Sequence, residues 1–68
     1  PDAAMPATAI PHIERLIELV RIGHVRGIEA EIGMLAKAAP NNGRLVSALY
    51  AALDNFDLAG MTRLLEGA

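Results

Sequence analysis

Residues 13–32 read Ile-Glu-Arg-Leu-Ile-Glu-Leu-Val-Arg-Ile-Gly-His-Val-Arg-Gly-Ile-Glu-Ala-Glu-Ile, and residues 46–65 read Val-Ser-Ala-Leu-Tyr-Ala-Ala-Leu-Asp-Asn-Phe-Asp-Leu-Ala-Gly-Met-Thr-Arg-Leu-Leu. In the first stretch Ile13, Leu16, Ile17 and Val20 recur at helical spacing until Gly23, and Val25, Ile28 and Ile32 then resume the pattern. Sliding the second stretch back by 33 positions sets Leu16 against Leu49, Ile17 against Tyr50, Val20 against Leu53, Gly27 against Gly60, Ile28 against Met61 and Ile32 against Leu65. The corners align as well, with Gly23-His24-Val25 opposite Phe56-Asp57-Leu58. The expected fold is therefore all-α, a small four-helix bundle built from two helical hairpins with a pseudo-repeat of about 33 residues. Such a period also suits helical solenoids, but two copies are too few to stack into one.

Punctuation sets the remaining boundaries. Pro11 suits a first helical turn, where its missing N–H is not needed, so the first helix is expected over residues 11–22. The second carries Val25, Ile28, Ile32 and Leu35 and should end in the Ala-Pro-Asn-Asn-Gly loop of residues 39–43. Asn41 or Asn42 can cap the third helix, whose broad apolar face takes in Leu45, Val46, Leu49, Tyr50, Ala52, Leu53 and Phe56. Asp57 is the expected N-cap of the fourth, which Gly67 ends. His24 occupies the equivalent corner position and is expected to cap the second. Residues 1–9 read as a flexible Ala/Pro-rich linker to a domain spanning residues 10–68, cut from a longer protein.

Sixty-eight residues make one domain near the size limit for folding without staples, and with no cysteine neither disulfides nor a structural zinc site can supply them. Packing must suffice, and a 53% apolar composition allows it. The core is expected to hold Leu16, Val20, Ile28, Ile32, Leu49, Leu53, Met61 and Leu65. A mean hydropathy of +0.32 leaves apolar side chains over for a partner's surface. Tyr50 is the first candidate for such a contact, because a tyrosine ring packs while its hydroxyl stays wet. A plain packing role beside Ile17 is the competing expectation. A net charge of -2 with dispersed cations argues against nucleic acid. No apolar run approaches the length of about 20 residues that spans a membrane, and residues 1–9 lack the features of a signal peptide, so a cytoplasmic place is expected.

Chemistry is sparse. His12 and His24 are the only histidines, and one serine and one tyrosine accompany them. No catalytic residue, cofactor site or metal site is expected from so few groups. Glu29 and Glu31 face different sides of a helix, while Glu14 and Glu18 share a face without a metal ligand; all four read as solvated. His12 should be exposed in the first turn. Arg15, Arg21, His24 and Arg26 form a loose basic cluster in which Glu18 can pair with Arg15 or Arg21. Histidine phosphotransfer motifs place Lys three and Gly four residues after the acceptor, whereas His24 is followed by Arg26 at two and Gly27 at three. His24 is thus an alternative phosphoacceptor only in a degenerate sense. Gly27 and Gly60 lie inside helices, where glycine costs about 1 kcal/mol against alanine, so another helix is expected to pass close to each.

Residues 13–65, about four fifths of the chain, with their Gly-His-Val-Arg-Gly-Ile-Glu and Asn-Phe-Asp-Leu corners, resemble the C-terminal helical domain that follows the receiver in some bacterial hybrid sensor histidine kinases and response-regulator proteins. That family shows a Pro/Ala-rich linker, then Leu-x-x-Leu-x-x-Ile/Leu-Gly-x-Ile/Val-x-Gly-Ile/Leu, a Phe-Asp corner and a closing Leu-Leu helix. The resemblance implies a non-catalytic regulatory or docking module of two-component signalling, with kinase and receiver chemistry held elsewhere in the parent protein. Its partner would be a protein or another domain of the same protein. Two alternatives stand beside it: a degenerate histidine phosphotransfer domain using His24, and a docking domain of a multienzyme assembly line.

Overall fold

The computed structural model describes residues 6–67, and among them there is no strand. Four helices follow in order: α1, Ile10–Ile22; α2, Val25–Ala38; α3, Gly43–Asp54; and α4, Leu58–Glu66. Helix α1 packs on α2, α2 on α3 and α3 on α4, and α4 returns onto α1, closing a ring around one core. The Cα radius of gyration is 10.6 Å, against about 11 Å for a compact chain of this length. Helix α4 has 9 residues where α2 has 14, so the two halves correspond best at their corners.

At those corners the backbone repeats itself. The Gly23 N–H donates to the Val20 carbonyl and the His24 N–H to that of Leu19, each at 3.1 Å. Likewise the Phe56 N–H donates to Leu53 at 3.0 Å and the Asp57 N–H to Ala52 at 2.8 Å. Both are Schellman ends, in which the last helical carbonyls are satisfied by a chain that turns through the left-handed region. Gly23 takes that turn at φ 71° and Phe56 at φ 52°. The next residue caps the following helix: His24 Nδ1 accepts from the Gly27 N–H at 2.8 Å, and Asp57 Oδ1 accepts from the Gly60 N–H at 2.9 Å.

This capping explains the two internal glycines, and not through the close helix crossing expected of them. A Cβ on Gly60 would strike Asp57, whose side chain supplies all three nearest atoms. On Gly27 it would come within 2.6 Å of His24 Nδ1, with Leu19 of α1 at 3.0 Å as the one contribution from another helix. Glycine lets the capping side chain lie over the first turn. The central connection is a tight turn, with the Asn42 N–H donating to the Ala39 carbonyl at 3.0 Å and Pro40 in its second position. Asn42 holds the N-cap place of α3, though its side chain makes no capping bond there.

All eight expected core residues are buried, joined by Ala9, Ile13, Leu35 and Ala39. Ala9 moves the boundary of the folded unit: Ala7–Ala9 form a 3-10 turn packed on α1 and α2, so these residues are not the free linker expected of them. Residues 1–5 of that expectation lie outside the described residues. The apolar face of α3 is also narrower than expected. Leu49 and Leu53 fill the core, with Leu45, Val46 and Ala52 packed beside them, while Phe56 lies beyond the helix in the turn.

Candidate functional site

Phe56 stands out twice. Its left-handed φ is a conformation that a β-carbon disfavours by about 1 to 2 kcal/mol, and its side chain is not the source of compensation, because 72% of the residue is exposed. Asn55 and Asp57 hold the corner from both sides: the Asn55 amide donates to the Ala51 carbonyl at 2.9 Å, and Asp57 caps α4. The aromatic ring is thus presented on a rigid, hydrogen-bonded turn. Next to it, Ala48, Ala52, Asn55, Asp57, Gly60 and Arg63 line an open groove of about 460 Å³ between α3 and α4. The equivalent corner presents Ile22 and Val25, also exposed.

Tyr50 lies elsewhere, on the side of α3 that meets α2. It is 37% exposed, and its hydroxyl sits 3.8 Å from the point where a Cβ on Gly33 would project. The hydroxyl end of Tyr50 therefore lies against α2 at Gly33. Met34, beside Gly33, is also exposed.

His24 is engaged as a cap through Nδ1, on an exposed corner. His12 is not the exposed histidine expected. Its Nδ1 lies 2.5 Å from Glu31 Oε2, and only 28% of its side chain meets solvent. Glu31 itself was expected on a solvated face, yet its side chain is 8% exposed, between His12 and Arg15. Arg15 Nε approaches Glu31 Oε1 at 3.5 Å, so this arginine bridges α1 to α2, while Glu18 pairs with Arg21 at 3.5 Å. Period counting missed the cluster because Glu31 flanks the fully buried Ile32 and falls under the first turn of α1, a juxtaposition set by the helix crossing. The available signal was a basic pair three residues apart, His12 and Arg15, facing one acid on the next helix.

Among the described residues no group of three or more His, Cys, Asp or Glu side chains is arranged to hold a metal ion. No described helix is long and apolar enough to cross a membrane. Comparison with protein-family models, curated proteins and solved structures finds no match for this chain.

Proposed function

We propose that this domain is a non-catalytic docking module of a bacterial two-component signalling protein, and that the Phe56 corner is its main contact. The observation that carries the reading is an aromatic side chain kept in a strained backbone conformation while 72% exposed. Strain retained without a packing return points to a task outside the fold. A rigid exposed aromatic beside a shallow groove is the usual anatomy of an interface anchor, where few residues carry most of the binding energy. Tyr50 is the second contact candidate, for its half-exposed ring. The two-component assignment rests on the resemblance of residues 13–65, and the receiver domain, which precedes this domain in that family, is the partner taken for the test.

Titration calorimetry of the chain against a receiver domain tests this. Phe56→Gly relieves the backbone and removes the ring, so affinity should fall about tenfold or more while the fold is preserved. Tyr50→Ala should weaken binding too, with a melting temperature lowered by the packing that its partly buried ring loses. Binding that is absent in the parent chain, or undiminished by Phe56→Gly, contradicts the proposal.

A further inference from the structure

The two corners lie at one end of the bundle. Successive helices are joined only by residues 23–24, 39–42 and 55–57, so each helix runs back along the one before it, and the ends of α1 and α3 meet the starts of α2 and α4 at that end. Helix α1 packs on α2 and α4 and not on α3, which sets the α1–α2 corner and the α3–α4 corner on opposite sides of it. Both corners are apolar at their tips: Ile22 is 71% exposed and Phe56 72%, and Val25 is exposed as well. Their charges are opposite. Residues 21–26 hold Arg21, His24 and Arg26 and no acid, while residues 54–59 hold Asp54 and Asp57 and no base. At the 33-residue offset Arg21 falls opposite Asp54, each in the last turn of its helix. Phe56 falls opposite Gly23, where a Cβ would meet only open space. Arg21 approaches Glu18 at 3.5 Å through one guanidinium nitrogen, and 72% of its side chain stays exposed.

We propose that this end of the bundle is the interface of a homodimer, in which a second copy is turned end over end and each α1–α2 corner meets the other copy's α3–α4 corner. A two-fold axis across the end makes every contact twice. Arg21 of one copy faces Asp54 of the other, and the Phe56 ring sits over Gly23 between Ile22 and Val25. The charges select both the occupant and its orientation: rotating the second copy by half a turn about the bundle axis sets Arg21 against Arg21 and Asp54 against Asp54. Apolar tips within a charged rim are the usual plan of a protein interface. The whole domain spans 27 × 20 × 17 Å between Cα extremes, so one end buries less than the roughly 800 Å² per partner of a standard interface. The dimer is accordingly weak and forms at high micromolar concentration. It shares the Phe56 corner with the docking reading but needs no receiver, and a receiver on that corner competes with it.

Sedimentation equilibrium of the whole chain, from micromolar to millimolar concentration, tests this without any variant. The average mass should rise from monomer towards dimer, and less steeply as salt is added. Arg21→Asp and Asp54→Arg each place like charges at both contacts, so each alone should associate about tenfold more weakly or worse, with circular dichroism checking that the helices are kept. Mixed in equal amounts, the two variants restore opposite charges at both contacts, and association should return as a heterodimer. Phe56→Ala should weaken the dimer at every salt concentration. The proposal is overturned by a parent chain that stays monomeric at millimolar concentration, by charge variants that associate like the parent, or by a mixture that does not recover. A monomeric chain that binds a receiver assigns the corner to the receiver alone and overturns it as well. Dimerisation without receiver binding supports it and removes the docking reading instead.

Discussion

Phe56→Gly and Phe56→Ala remove the same ring and treat the backbone oppositely. With 72% of the residue exposed, roughly a quarter of an aromatic surface of about 200 Å² is buried; at about 25 cal/mol per Å² both variants lose about 1 kcal/mol of packing. They differ at φ 52°, where alanine keeps the left-handed strain and glycine has none. The glycine variant should therefore be more stable than the alanine variant by about 1 kcal/mol, the reverse of the order inside a helix. In a domain this small that difference is a melting-temperature gap of about 4 to 8 °C. Gly23→Ala at the matching corner, φ 71°, should be destabilised by about the same 1 kcal/mol. Thermal melts by circular dichroism with matched urea titrations measure all three. An alanine variant as stable as the glycine variant at position 56 would refute the left-handed corner and the strain argument built on it.

Other expectations follow from the core and the caps. Leu16→Ala and Leu53→Ala should each cost about 2 to 5 kcal/mol, enough to abolish cooperative unfolding in urea for a domain of marginal stability; a parent-like midpoint in either would show that the core is misplaced. Glu31→Ala removes the carboxylate shared by His12 and Arg15, and a loss on the order of 1 to 3 kcal/mol is expected, with a cycle against His12→Ala reporting a coupling above about 0.5 kcal/mol. Asp57→Ala should cost about 1 kcal/mol as a lost cap. In that background Gly60→Ala should gain about 1 kcal/mol of helix propensity that the parent cannot show, because there the new methyl meets Asp57.

How much of this was legible in the sequence follows from the range of each interaction. Helix positions and the eight core residues depend on spacing along one chain segment, and the 3.6-residue period reads that directly. The His24 and Asp57 caps are equally local, reaching three residues forward to Gly27 and Gly60. Gly27 and Gly60 are legible as oddities inside helices, but nothing in a helical pattern says that a side chain three residues back folds over them. The spacing of Phe56 continues the apolar line of α3, yet the Schellman turn ends the helix first. The turn had one legible trace: Phe56 aligns with Gly23, so a left-handed φ could have been carried from one corner to the other. The His12–Glu31–Arg15 cluster joins residues 19 apart in the chain through a helix crossing, which periodicity does not encode.

The docking claim meets its most direct test in an NMR titration of isotope-labelled chain with a receiver domain. Saturable shifts are predicted for Asn55, Phe56 and Asp57, extending to the groove residues Ala52 and Arg63. Spectra that do not change at receiver concentrations in the millimolar range, or changes that spare the Phe56 corner, would contradict it.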